Sequence, residues 1–257
     1  MNLYEAIFIR KTVRKYKMKP LDDVVLEDIS NFAKNLPMLM EGTKVEYKII
    51  DYLNEPVQMK GTFIIKAPYY LVLYSQITDG YLLNAGYLME QISLYMTTKG
   101  IGSCYLGMVK LKDNLVDDDS YEYIITLAFG EGEAEIYRSV ENAKRLPLED
   151  TAIFKEDIRR NIKLLMNAAR MSPSSMNNQP WKFVVYNNRV HIFCKKNIFL
   201  MGVLSEVKEI DIGICISHLL IAAEELWIDC NLQNFDNISA KTFKKYDYVI
   251  SLMINAL

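Results

Sequence analysis

A basic segment near the N-terminus holds the first residues whose types could bind a ligand. Residues 10–16 read Arg-Lys-Thr-Val-Arg-Lys-Tyr and follow residues 3–9, whose apolar pattern predicts a short helix. Arginine offers a planar fork of hydrogen-bond donors that matches a phosphate, and a threonine hydroxyl adds a neutral donor. The segment is therefore a candidate receptor for a phosphate monoester. Taken alone, its composition also fits a solvated basic face or a nucleic-acid patch.

A polar loop in the second half of the chain holds the second group of candidates. Residues 172–181 read Ser-Pro-Ser-Ser-Met-Asn-Asn-Gln-Pro-Trp, after a predicted helix that ends at Ala168-Ala169-Arg170 and before a predicted strand. Small hydroxyl and amide side chains on such a loop can hydrogen-bond a polar ligand without filling its space. Ordinary turn chemistry would explain the same residues if the loop stood alone.

The remaining residue types offer little further chemistry. The four cysteines lack the short spacing of a metal site and stand at positions 104, 194, 215 and 230. Three of them lie in apolar runs, so we interpret the cysteines as small hydrophobic residues with free thiols, in keeping with a reducing cytoplasm. Only His191 and His218 could assist them, and neither stands beside a motif. We therefore expect no metal site.

Composition is that of an ordinary globular protein with one large domain or two small ones. The chain has 257 residues, of which 51% are hydrophobic and 24% charged, and a formal net charge of −2. This balance gives it no general attraction to nucleic acid or to an anionic membrane. The least polar stretches, residues 80–98 and 212–223, are too short or too polar to span a bilayer and predict buried helices instead. Pro20-Leu21-Asp22-Asp23 stands where a secretion signal would have its apolar core.

The sequence shows weak internal similarity between its two halves, at an offset of about half the chain length. Residues 121–129 are similar to residues 246–254, and both stretches are apolar and β-branched enough to be interior strands. Earlier in each half, Leu26–Ile29 and Lys155–Ile158 are similar, and each is predicted to open an amphipathic helix.

Each predicted strand follows a long apolar helix. The first is predicted over residues 84–99, with Gly100 as its C-terminal cap. The second is predicted over residues 211–226, with Asp211 as its N-cap. The second helix is apolar nearly all round, so it must be buried on all sides.

These patterns predict an α+β fold made of two half-repeats, each with a mixed sheet flanked by helices. Residues 1–150 form the first half and residues 151–257 a second, truncated half. The join lies near residues 148–155, and no linker rich in Pro, Gly or Ser separates the halves. We expect the halves to bury the two long helices by packing as an intramolecular pseudo-dimer. A monomer is then expected, since the pairing is satisfied within one chain.

The two motifs together resemble the nitroreductase superfamily. Its members begin with a segment like Arg-Arg-Ser-x-Arg-x-Tyr/Phe and carry Pro-Ser-x-x-Asn-x-Gln-Pro-Trp on a later loop. The first motif is matched at Arg10, Arg14 and Tyr16, with Lys11 in place of arginine and Thr12 in place of serine. The second, more specific motif is matched at Pro173, Ser174, Asn177, Gln179, Pro180 and Trp181. The resemblance covers nearly the whole chain, as two partial copies.

The resemblance implies a bound FMN and assigns residues to it. The phosphate would be held by Arg10, Thr12, Lys144 and Arg145. Lys11 or Arg14 would lie near the ribityl and pyrimidine side, where a cation would stabilise the anionic reduced flavin. The ribityl chain and the ring edge would be bound by the loop residues Pro173, Ser174, Ser175, Asn177 and Gln179. The Leu106-Gly107 backbone, in the loop after the first long helix, would offer an N–H toward flavin N5.

Departures from the family pattern leave one complete site. Residues 35–40 read Asn-Leu-Pro-Met-Leu-Met where the second motif would stand in the first half. The second half has no basic segment before Lys155, and it ends at Leu257 without an equivalent of Lys144-Arg145. One FMN per chain follows, at a site that combines the basic segment with the second-half loop. Residues 108–110 lack the acidic residue often found there, which leaves the nicotinamide preference open.

The function that this resemblance implies is that of an FMN-dependent oxidoreductase. It would take electrons from NADH or NADPH and pass them to a nitroaromatic or quinone-like acceptor in a ping-pong reaction. The flavin would carry the chemistry, so no catalytic side chain is assigned. The alternative is an FMN-binding sensor or a degenerate pseudoenzyme without turnover, because fold does not determine function. A nucleic-acid binder has little support, since the rest of the chain is acidic and lacks interleaved aromatic and basic residues.

Overall fold

The computed structural model describes residues 1–196, 203–235, 237–238 and 245–255. The chain divides into two compact units, Met1–Asn142 and Ala143–Leu257. The sequence places the division at residue 150, eight residues further along, and the structure differs because the segment after Asn142 makes its contacts with the second unit. Leu257, the predicted end of the second half, lies outside the described residues.

The first unit, all of which is described, is built on a four-stranded antiparallel sheet. Its elements in chain order are α1 Leu3–Ile9, α2 Asp23–Asn35, β1 Val45–Asp51, β2 Met59–Gly61, β3 Tyr69–Gln76, α3 Tyr81–Thr98, β4 Gly102–Tyr105, β5 Val109–Leu111 and β6 Tyr121–Gly130. The sheet has the order β1-β3-β6-β4, and β2 pairs with β5 in a separate ribbon. The stretch predicted as an interior strand, residues 121–129, lies in β6 between two neighbours, so this prediction is confirmed.

Local signals explain where the helices of this unit begin and end. α1 begins with a capping box, in which Asn2 Oδ1 accepts from the Glu5 N–H and Glu5 Oε2 accepts from the Asn2 N–H, each at 2.9 Å. α3 begins three residues before the predicted start and ends in a Schellman motif. There Gly100 has a φ of 76°, and the Ile101 N–H donates to the Met96 carbonyl at 2.9 Å. The prediction of Gly100 as the cap is therefore confirmed.

The second unit has a mixed sheet. Its described elements in chain order are α4 Leu148–Thr151, β7 Ala152–Phe154, α5 Arg160–Arg170, a 3-10 turn Ser175–Asn177, β8 Trp181–Val185, β9 Arg189–Lys195, α6 Val203–Glu225, β10 Cys230–Gln233 and β11 Tyr246–Ile254. The strand order is β10-β11-β9-β8-β7, and the β7–β8 pair is parallel while the other pairs are antiparallel. The interior strand predicted over residues 246–254 is confirmed as β11.

Two helix starts in this unit were predicted wrongly. Lys155–Ile158 does not open a helix, because α5 begins only at Arg160. The Lys155 N–H donates to the Val185 carbonyl, and the Asn187 side chain accepts from the Arg159 N–H at 2.8 Å, so the chain is held against the β8–β9 turn. Asp211 is not an N-cap either, because α6 begins at Val203 and continues through it.

The long helix α6 is buried as its composition predicts. From residue 211 to residue 223, every residue except Leu220 is buried, and the helix contacts α5 and β9. Among the described helices, none is both long and apolar enough to cross a membrane.

Both units present their elements in the same order. With α1, α4, the 3-10 turns, the β2–β5 ribbon and the β7 edge strand set aside, α2-β1-β3-α3-β4-β6 in the first unit corresponds to α5-β8-β9-α6-β10-β11 in the second. The strand orders β1-β3-β6-β4 and β8-β9-β11-β10 correspond as well. In addition, Ile124 of β6 and Val249 of β11 are each passed over in the strand pairing. This correspondence supports the internal repeat.

Gly102→Ala should lower the free energy of unfolding, because a Cβ at residue 102 would stand 2.6 Å from Val13 Cγ2. We expect a loss of about 1–3 kcal/mol, as for overpacking in a core, measured by denaturant titration. Val13→Ala in the same chain should relieve part of that loss, and a double-mutant cycle would measure the coupling. Strictly additive losses would contradict the close approach of β4 to residues 10–16.

Candidate functional site

Residues 10–16 run as an extended segment beside β4. Three isolated bridges hold the segment: Arg10–Tyr137, Thr12–Ser103 and Tyr16–Gly132. The Val13 N–H also donates to the Ser103 carbonyl at 3.0 Å. The Tyr16 hydroxyl lies 2.7 Å from the Val13 carbonyl oxygen, and both side chains belong to a buried cluster of the first unit. The predicted basic segment is thus fixed by its own backbone and by the apolar residues between its cations.

Arg10 is almost fully buried and lies in a polar network. Its Nε donates to Ser93 Oγ at 3.0 Å and lies 3.6 Å from Glu90 Oε1. Glu90, on α3, is fully buried and accepts a 2.8 Å hydrogen bond from the Tyr105 hydroxyl. Arg10 Nη2 is buried as well, and it has no hydrogen-bond partner among the described residues. The guanidinium therefore keeps a donor that the described part of the chain does not use.

The other cations of the segment are exposed. Lys11 Nζ donates to the Glu135 carbonyl at 3.1 Å, Arg14 is exposed, and Thr12 is half-buried between them. Burial raises the pKa of the Cys104 thiol on β4, although the charges of Arg14 and Arg10 oppose that rise. Cys104 is therefore an uncharged thiol beside the basic segment, which does not favour a nucleophile.

The predicted Leu106-Gly107 pair lies in the loop directly after β4, the strand beside which residues 10–16 run. Leu106 is buried, and its N–H donates to the Thr126 carbonyl at 2.9 Å. The structure therefore commits the Leu106 N–H to the sheet and leaves Gly107, which is half-buried, as the backbone donor to consider at this loop. The next carbonyl, that of Met108, accepts from the Thr62 N–H at 3.2 Å.

The second cluster brings Lys144 and Arg145 to the polar loop within the second unit. Arg145 Nη1 donates to Asn177 Oδ1 at 3.0 Å, and Asn177 Nδ2 donates to the Lys144 carbonyl at 2.9 Å. The Leu146 N–H donates to Gln179 Oε1 at 2.8 Å. The Asn177 and Gln179 amides, predicted as ligand-binding groups, thus hold residues 144–146. The structure differs from the prediction here, which placed Lys144 and Arg145 in the first half.

The polar loop has a strained backbone. Three of its residues other than glycine have left-handed φ values: Met176 at 51°, Asn177 at 56° and Gln179 at 44°. Such conformations cost of the order of 1 kcal/mol each and persist only where the surroundings hold them. Ser174 Oγ accepts from the Gln179 N–H at 2.9 Å, which closes the loop. The predicted residues Pro173, Ser174 and Ser175 are half-buried.

The sequence interpretation assigned Asp211 to a helix cap and missed its role beside the loop. Asp211 lies inside α6 with only 3% of its surface exposed, and both of its carboxylate oxygens accept from the Ser175 N–H, at 2.9 and 3.1 Å. Burial raises the pKa of this carboxyl to about 8, against the opposing effects of the Ser175 N–H and Lys208. A carboxyl group at the start of a long apolar stretch of a helix is a signal of such a contact, because a buried polar group needs a partner.

No metal site is found among the described residues, since no three His, Cys, Asp or Glu side chains are placed to share an ion. What the fold and the clusters define is an α+β protein with buried and exposed cations at one segment and a braced polar loop at another. The cations of the first segment suit an anionic group, and the hydroxyls and amides of the loop suit neutral polar groups.

The chain belongs to a nitroreductase family. The family model described as "Putative TM nitroreductase" matches residues 2–223, which is most of the chain. The resemblance predicted from the two motifs is confirmed at the level of the family. No curated protein matches the chain significantly.

The fold is similar to that of a "putative nitroreductase" from Thermotoga maritima, with a TM-score of 0.65 and 21% identity over 100% of this chain and 95% of that chain. A nitroreductase family protein from Clostridium difficile 630 matches at 18% identity over 58% of this chain and 96% of its own, with a TM-score of 0.46. An FMN-dependent nitroreductase from Clostridium difficile R20291 matches at 17% identity over 54% of this chain and 94% of its own, with a TM-score of 0.38.

Glu90→Gln should destabilise the protein, because it leaves the buried Arg10 charge without its carboxylate. We expect a loss of roughly 3 kcal/mol in the free energy of unfolding, as when one partner of a buried ion pair is removed. Denaturant titration would measure the loss. Glu131→Gln is the control, since its ion pairs with Lys17 and Lys19 are partly exposed and should contribute little. Equal effects of the two substitutions would contradict the importance of the buried pair.

Proposed function

We propose that this chain is an FMN-dependent oxidoreductase that takes electrons from NADH or NADPH and passes them to a nitroaromatic or quinone-like acceptor in a ping-pong reaction. Membership of the nitroreductase family supports an oxidoreductase. The observation that carries the cofactor assignment is the donor set of residues 10–14, in which the buried Arg10 Nη2 has no partner among the described residues.

The residues present fit a phosphate monoester joined to neutral polar groups. Arg10 keeps a buried N–H for an anion, Thr12 adds a hydroxyl, and Arg14 is an exposed cation. In the second unit, the half-buried Ser174 and Ser175 offer hydroxyls, which can donate to and accept from a ribityl chain. Both donor sets are therefore chemically suited to FMN.

When bound, FMN supplies the two-electron transfer, while the chain supplies position and charge. Lys11 or Arg14 favours negative charge on the ligand, as cations do at short range. Because the Asn177 and Gln179 amides bind residues 144–146, we propose that they act by holding Lys144 and Arg145 in place. The Gly107 N–H remains the candidate backbone donor of the loop after β4.

One FMN per chain follows from the fact that each donor cluster occurs once. The matching order of elements in the two units supports two half-repeats, and we propose that they form a pseudo-dimer within a monomeric chain. A stable homodimer by light scattering would contradict the monomer. The four cysteines are free thiols, which suits the cytoplasm.

Titration of the purified chain with FMN should saturate at about one FMN per chain, and flavin fluorescence measures the binding. Arg14→Ala should raise the dissociation constant about tenfold or more, because a charged donor contributes at least 1.4 kcal/mol. Lys34→Ala, which removes an exposed cation from α2, is the matched control and should bind FMN as the unaltered chain does. Saturation at two FMN per chain, or no binding at all, would contradict the proposed site.

Turnover distinguishes the enzyme from the alternative. NADH or NADPH should bleach the flavin absorbance of the loaded protein under nitrogen, and nitrofurazone or menadione should restore it. A protein that binds FMN but is reduced by neither nucleotide would contradict the enzyme and favour an FMN-binding sensor or a pseudoenzyme.

A further inference from the structure

The long buried helix α6 carries one polar stripe. Asp211, Cys215 and His218 lie at helical spacing on one face, and all three are buried. Most residues between them are apolar, which is why composition indicates a helix without a polar face. Buried polar side chains need partners within the protein, so the stripe identifies what this face of α6 contacts.

The three residues of the stripe contact the C-terminal end of α5 and the polar loop that follows it. His218 Nδ1 lies 3.0 Å from the Ala168 carbonyl oxygen, and the Cys215 thiol donates to the Ala169 carbonyl at 3.8 Å. These carbonyls belong to the last turn of α5, where helical partners run out. Asp211, the acceptor of the stripe, takes the Ser175 N–H. Thus α6 supplies donors to the helix end and an acceptor to the loop.

The first unit has a neutral counterpart of this arrangement. Asn84, at the corresponding end of α3, is fully buried, and its Oδ1 accepts from the Leu39 N–H at 2.8 Å. Leu39 follows α2 as Ser175 follows α5. An amide oxygen is therefore sufficient to anchor this loop of the repeat. The second unit differs because its anchor is a carboxylate and because the loop that it holds contains the polar motif.

We propose that Asp211 is a positioning residue of the FMN site, which fixes the loop Ser174–Gln179 through the Ser175 N–H and thereby sets FMN affinity. The inference rests on the proposed function, in which FMN binds this loop. The three residues with left-handed φ, Met176, Asn177 and Gln179, follow the anchored Ser175 N–H. A strained backbone persists only where its surroundings hold it, and the bond to Asp211 fixes one end of this loop.

The charge of the anchor makes it sensitive to pH. The raised pKa of about 8 means that the carboxyl loses its proton only in mildly alkaline solution. The ionisable groups that interact with it are Lys208 and Cys215 on α6 and Cys194 on β9, and burial raises the pKa of both thiols to about 12. Lys208 favours the ionised form. Because the Ser175 N–H lowers the pKa of the buried carboxyl, this hydrogen bond favours the ionised form and strengthens as pH rises through this range. Burial, which raises the pKa, lowers the free energy of global unfolding over the same range.

Asp211→Ala and Asp211→Asn test the proposal in the full-length chain. In Asp211→Ala at about pH 9, where Asp211 of the unaltered chain is ionised, the Ser175 amide should lose about tenfold in hydrogen-exchange protection, and the FMN dissociation constant should rise about tenfold, as expected for one charge-assisted hydrogen bond. Asp211→Asn should restore both values to within about threefold, since its amide oxygen can accept the same N–H. It should also abolish the gain in local Ser175 protection, measured relative to an amide that exchanges only by global unfolding, that we expect in the unaltered chain between about pH 7 and pH 9.

Asn84→Ala is the matched control, because it removes the equivalent anchor from the first unit. Exchange at Leu39 should then increase while FMN affinity stays unchanged. Equal FMN affinity in Asp211→Ala and the unaltered chain would overturn the role of Asp211 and leave the proposed function intact. Absence of FMN binding by the unaltered chain would overturn both. If Asp211→Ala does not fold, the unaltered chain is compared with Asp211→Asn instead. A gain in Ser175 protection between about pH 7 and pH 9 that persists in Asp211→Asn would overturn the proposal.

Discussion

Burying a polar group costs free energy unless a hydrogen bond compensates, and this constraint acts on the two long helices. Because α3 and α6 are buried along most of their length, the carboxyl groups of Glu90 and Asp211 are removed from water. Each meets a segment that carries candidate ligand-binding residues: Glu90 lies beside Arg10, and Asp211 accepts from Ser175. The helices that fill the cores therefore also position the two motifs.

The matching scaffold of the two units explains how their loops can differ in chemistry. β6 and β11 hold the same place in their sheets, and each passes over one residue, Ile124 or Val249. A duplicated strand would keep its bulge, since a one-residue slip turns the following side chains to the opposite face. Asn84 and Asp211 likewise anchor the loops that follow α2 and α5. An anchor of this kind therefore occurs in both units, although the polar motif stands only in the loop of the second unit.

Local signals allowed much of the fold to be predicted, while tertiary contacts account for the errors. The strands at 121–129 and 246–254 have β-branched sequences that suffice to identify them. Lys155–Ile158 and Asp211 carry acidic residues typical of helix starts, but contacts from other segments overrule that signal. The residue types of the candidate site were also predictable, because they stand in short local motifs at residues 10–16 and 172–181. The burial of Arg10 was not, because it depends on a carboxylate far along the chain.

The charges around Arg10 favour a ligand receptor over a purely structural ion pair. Arg138 is also partly buried, and burial and the Arg10 charge both lower its pKa, while Glu90 opposes them. One buried carboxylate thus interacts with the buried Arg10 guanidinium and the partly buried Arg138 guanidinium, and the exposed Lys11 and Arg14 add positive charge along the same segment. Apolar residues commonly stabilise a core as well as a buried ion pair does, so stability by itself does not account for such a cluster. A phosphate would supply the missing negative charge and accept from Arg10 Nη2, so the imbalance that costs stability in the free protein would favour binding.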